Sequence, residues 1–144
     1  MPLITQADLG THLYADVLSE ITRADDTIVS KAIDTAIQEA KMYLARYDLL
    51  QLFGNDTTPA TVQDEYLKSL LKDIACWHII RLANVNIDYN AFRTAYQDAI
   101  AALKSIMCGD ANPAGWPYRD TSADSSPEGD DVSWSSNPKR ENYF

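Results

Sequence analysis

Four residues grouped on one predicted helix are of the types that do chemistry: Asp73, Cys76, His78 and Arg81. A cysteine becomes a nucleophile when a histidine within hydrogen-bond reach takes its proton. The spacing works against that arrangement. Positions two apart on an α-helix point about 200° away from each other, so Cys76 and His78 cannot act together within one chain. His78 falls on the apolar stripe of its helix, where a hydrogen-bonded core histidine is the ordinary explanation.

The other candidates are weaker. His12 is the second of two histidines, and no HExxH or equivalent spacing accompanies either, so no metal site is expected. Cys76 and Cys108 have no CxxC neighbour and read as two buried, reduced thiols. Paired carboxylates occur at Asp25–Asp26, Asp64–Glu65 and Asp130–Asp131. The first two pairs stand at helix starts, where negative charge complements the macrodipole, and the third lies in a polar, solvated stretch. No phosphate-binding glycine loop, GxSxG elbow or dinucleotide fingerprint is present. The expectation is a protein that is not an enzyme and needs no cofactor.

The elements that carry these residues are helical. Five Gly and six Pro in 144 residues fall mainly at the edges of periodic segments. The spacing predicts an N-terminal leader from Thr5 to about Ile21, with Thr5 as N-cap, Asp8 near the dipole and a stripe of Leu9, Leu13 and Val17. It forms one short helix or two halves broken near Gly10. A second helix starts at the cap cluster Asp25–Asp26–Thr27 and runs to about Tyr47. Its small-residue ladder, Ala32, Ala36 and Ala40, invites close approach by a neighbour. The apolar run Leu49, Leu50, Leu52, Phe53 and a loop over 54–62 follow.

A third helix is expected from about Gln63 to Ala83, with the stripe Leu67, Leu70, Leu71, Ile74, His78 and Leu82 and Trp77 beside it. Asp64 and Lys68 stand four apart in the favourable acid-first order. After a short connection, Asp88 caps a fourth helix striped by Phe92, Tyr96, Ala99, Leu103 and Ile106, and Gly109 closes it. The fold class is therefore all-α: a small bundle of three long helices and a short N-terminal one, over residues 1–109.

Residues 110–144 differ in kind. Val132 is their one Val, Ile, Leu or Met among many Asp, Ser, Pro and Asn, too few apolar groups to order the segment alone. Aromatic islands nonetheless punctuate it: Trp116 with Tyr118, then Trp134, then Tyr143–Phe144, with Lys139 and Arg140 just before the last. Anchors spaced along a polar strand suit an extended arm that folds onto another chain, and these seven residues are the candidate partner-binding set. Packing back onto their own bundle is the competing outcome.

The net charge of −9 comes without a Lys/Arg cluster, which argues against sequence-independent duplex binding. An acidic surface would repel DNA along a conduit, or serve only solubility. The start lacks a basic region followed by an apolar stretch of signal length, and no window approaches the about 18 apolar residues of a membrane helix. Synthesis and retention in a cytoplasm are expected.

Certain residues, taken in order, resemble the Mu-like prophage head–tail connector family of tailed phages. They are Ile4, Thr5, Asp8 and Leu9 at the start, and Tyr43, Leu44, Arg46 and Tyr47 at the end of the second helix. Leu67, Lys68, Asp73, Ile74 and Ala75 follow in the third helix, and Tyr96, Ala99, Ile100 and Leu103 in the last, before Gly109. The similarity covers about residues 4–109. Where the family pattern has a proline-containing turn, this chain has Asp48–Leu49–Leu50.

The resemblance implies a structural adaptor of the virion neck, made in the bacterial host's cytoplasm. Such a protein forms a homo-oligomeric ring, a dodecamer, beneath the portal protein. The ring extends the channel through which DNA passes and docks the tail-side neck protein. The alternative reading is a bacterial α-helical protein–protein interaction module.

Overall fold

An aspartate opens each of the three long helices, and that repeated device sets their boundaries. In the computed structural model, which describes residues 3–82 and 88–120, Asp25 accepts from the Thr27 N–H at 2.9 Å and starts α2, Asp26–Tyr43. Asp64 accepts from the Leu67 N–H at 3.0 Å and starts α4, Glu65–Ile80. Asp88 accepts from the Asn90 N–H at 3.0 Å and starts α5, Tyr89–Cys108. Each side chain satisfies a backbone donor that the helix itself cannot reach. A 3-10 turn, Ala7–Thr11, and a short α1, Ala15–Thr22, precede them, and a one-turn α3, Leu49–Phe53, separates α2 from α4. The named elements among the described residues are all helices, as the periodicity predicts.

α4 is the central element, packed along both α2 and α5, which meet each other over a shorter stretch. This position explains a difference from the expected single stripe. A helix gripped from two sides buries a broad belt, so Ala75, Cys76, Ile79 and Ile80 are buried along with Leu67, Leu70, Leu71 and Ile74. Leu82, expected on the stripe, lies past the end of α4 and is 57% exposed. The alanine ladder of α2 is buried, with Val29, Ile33 and Ile37 beside it.

Several boundaries shift for identifiable reasons. The leader is two pieces, but the break falls over 12–14 and not at Gly10. Thr5 does not cap the turn. Its N–H and hydroxyl donate to the Asp8 carboxylate at 2.7 and 2.8 Å, which holds that carboxyl below its usual range. α2 ends at Tyr43, four residues short of Tyr47, because Asp48 starts α3 by accepting from the Leu50 and Gln51 N–H groups. The apolar run is thus a helical turn that buries Leu52 and Phe53.

Two glycines are required by the backbone. Gly54 ends α3 at φ +68°, and a Cβ there would lie 2.6 Å from the Ala60 nitrogen and the Thr58 oxygen. Gly109 closes α5 in the left-handed region, as its place after the periodic stripe predicts. Of the two thiols expected to be buried, Cys76 is and Cys108 is exposed at the last position of α5.

Candidate functional site

The residues that suggested chemistry are separated by the fold. Cys76 is 1% exposed, and burial, followed by the charge of Asp73, pushes its thiol up to about 12. A thiol so held does not supply a nucleophilic thiolate near neutral pH. Asp73 looks toward the N-terminal turn, 3.5 Å from His12, and burial raises its carboxyl despite that neighbour. His12 also lies 2.7 Å from the Thr11 hydroxyl and 3.4 Å from that of Ser69.

His78 faces the opposite way, into a seam among all three long helices. Its Nε2 lies 3.0 Å from Glu39 Oε2 on α2, and the Tyr96 hydroxyl on α5 donates to Glu39 Oε1 at 2.6 Å. Trp77 stacks on Tyr96 at 5.8 Å, and His78 meets the same ring edge-on at 6.2 Å. Burial, with the bond and charge of Glu39 added, pushes the Tyr96 phenol up to about 12. One carboxylate with each oxygen committed to a different helix is a clamp. His78 is the hydrogen-bonded histidine its stripe predicts. Glu39, which no motif marks, is the residue sequence reasoning missed. Its one cue is a charged position beside the buried Ala36 and Ala40, and its partners lie 39 and 57 residues away.

A second seam concerns the residues expected on a free arm. Trp116 is 5% exposed and belongs to the core. Its indole N–H donates to Asp64 Oδ2 at 2.8 Å, while Oδ1 of the same carboxylate caps α4. Tyr118 is exposed but docked: it forms an isolated antiparallel bridge with Tyr47. The Asp48 N–H donates to the Pro117 carbonyl at 2.9 Å and the Arg119 N–H to the Arg46 carbonyl at 3.0 Å. The two tyrosine rings stack at 5.1 Å, Trp116 meets Tyr47 edge-on at 5.5 Å, and the Arg46 guanidinium lies over both tyrosines.

Trp116 and Tyr118, two of the seven residues of the expected partner-binding set, are thus placed against their own bundle. They form a strap, and the packed unit continues past Gly109 to at least Arg119. Composition averaged over 110–144 concealed this, because two large rings with one satisfied N–H dock a short segment without any aliphatic periodicity. Asp64 being so engaged, Lys68 pairs instead with Glu65 at 2.8 Å, not with Asp64 as its spacing suggested. Trp134, Lys139, Arg140, Tyr143 and Phe144 lie outside the described residues.

Among the described residues no group of three or more His, Cys, Asp or Glu is placed to hold a metal ion, and no helix is long and apolar enough to cross a membrane. What the fold presents outward is a rigid helical surface carrying isolated large apolar groups, such as Tyr14, Met42, Tyr66 and Met107. A family model described as bacteriophage Mu, Gp36 matches residues 4–129. No curated protein and no solved structure matches the chain.

Proposed function

Because the chain belongs to the bacteriophage Mu Gp36 family, and so to the structural and morphogenetic proteins of a phage, we propose that it is a head–tail adaptor. Copies assemble as a dodecameric ring beneath the portal, extend the DNA channel and dock the next neck or tail protein. The observation that carries this reading is the family match across both the bundle and the strap. Three features support it. The clamp and the strap hold the helices together as one packed unit, the kind of subunit that can meet its neighbours head-to-tail in a closed ring. A net charge of −9 suits a wall along which DNA slides without adhering. The buried Cys76 and the His78 tied to Glu39 fit a structural role without catalysis.

The site of action is then the virion neck, after synthesis in the bacterial host. Mixing the purified protein with its cognate portal and imaging by electron microscopy tests the proposal. Rings stacked on the portal are expected. Bare portals at protein concentrations well above those in an infected cell would overturn it.

A further inference from the structure

One flank of α2, where it meets the end of α4, is left open. Ile28, Ala32 and Leu82 line an apolar groove of about 320 Å³ together with Lys31, Thr35, His78 and Arg81. The spacing of Ile28, Lys31, Ala32 and Thr35 is that of one helical face, so the floor is continuous. Lys31 and Arg81 are both exposed, and neither joins an ion pair among the described residues, Lys31 acting on the Asp25 carboxylate only at longer range. In a chain with 21 acidic and 12 basic residues, two cations lining one apolar trough suit an acidic, apolar occupant.

The chain carries such an occupant itself. Glu128–Gly129–Asp130–Asp131–Val132–Ser133–Trp134 holds three carboxylates, the tail's one Val, Ile, Leu or Met, and a tryptophan. Laid in as an extended strand, Asp130, Val132 and Trp134 fall on one side, since alternate residues share a face. We propose that the α2–α4 groove receives this segment. Asp130 meets Lys31 and Arg81, and Val132 and Trp134 cover Ile28, Ala32 and Leu82.

The reach is sufficient. The strap fixes Arg119 to Arg46, beyond the far end of α2. α2 has 18 residues and is about 27 Å long, and the ten residues after Asp120 span up to about 33–36 Å. The segment can therefore enter its own groove or a neighbour's, and the same contact serves either way. In a ring, exchange between copies would tie each subunit to the next.

A photocrosslinker tests this in the full-length chain alone. Trp134→benzoylphenylalanine protein is irradiated and its crosslinked peptides are mapped by mass spectrometry. Crosslinks to the peptides holding Ile28, Ala32 or Leu82 are expected, within one chain or between two. Reversing the charges with Lys31→Glu and Arg81→Glu should cut their yield about tenfold, and adding Asp130→Lys should restore it. Should the reversed charges impair folding by circular dichroism, Lys31→Gln with Arg81→Gln gives the same comparison.

Crosslinks elsewhere on the surface, or a yield indifferent to the charges of Lys31 and Arg81, would overturn the proposal. So would a dimer that buries the groove while Trp134 crosslinks nothing there. No portal is present in this experiment, so its failure is distinct from failure of the ring.

Discussion

The two seams that brace the bundle use the same chemistry in opposite sequence contexts. Each sets a carboxylate against aromatic rings and spends both oxygens on different elements: Glu39 on His78 and Tyr96, Asp64 on the Leu67 N–H and Trp116. The Glu39 clamp joins three helices that periodicity already specifies. The Asp64 strap fastens a segment with no periodicity at all. Where helices are already packed, the polar clamp adds register. Where the segment has no apolar stripe, the one buried ring supplies its largest apolar contact. The strap should accordingly depend on its tryptophan far more than the clamp depends on its glutamate.

The largest expected effect is at Trp116. Trp116→Ala should destabilise the chain by about 3–5 kcal/mol in urea unfolding, the range for emptying a large buried aromatic site. Glu39→Ala should cost less, about 1–3 kcal/mol, for leaving the half-buried Tyr96 hydroxyl and His78 without their acceptor. The reverse order would mean that the clamp, and not the ring, dominates.

A smaller effect separates the caps from both seams. Hydrogen bonds from the Gln51 N–H and side chain, and from the Leu50 N–H, hold the Asp48 carboxyl below the usual carboxylate range. Such a group contributes stability that is present above the unfolded pKa and disappears as pH falls through the lower folded value. Thermal melting followed from pH 6 downward should thus show loss beginning as pH approaches about 4, and Asp48→Asn should flatten that slope. A slope unchanged in the variant would assign the acid sensitivity elsewhere, with Asp8 and Asp25, both lowered in the same way, next in line.

The smallest effect belongs to the Tyr47 hydroxyl, a buried side-chain oxygen with no hydrogen-bond partner among the described residues. Tyr47→Phe keeps the stack with Tyr118 and removes the unmet group, so stability should stay within about 0.5 kcal/mol or rise. A clear loss would show that the hydroxyl is engaged.

The helices were legible because their signals are local. Asp25 and Asp88 stand where caps are needed, Gly109 stands where a left-handed residue is needed, and the stripes of α2 and α5 repeat at helical spacing. The width of the α4 belt was not legible, since it depends on two helices meeting it from different sides. Nor was α3, whose five residues are too few for a period to register. Glu39 and Trp116 were hidden for a third reason: each finds its partners 39 to 57 residues away in sequence, a distance at which spacing carries no information. Trp116 was conspicuous as a residue type and misplaced as to what it touches.

Asp64 also orders events in time. The residue that completes its hydrogen bonding follows it by 52 positions, so a chain emerging from the ribosome forms the start of α4 long before the indole arrives. A late-synthesised piece thus closes a latch on one of the middle pieces. A nascent or truncated chain stopping short of Trp116 would hold all the long helices and still lack the fastening that makes them a single body.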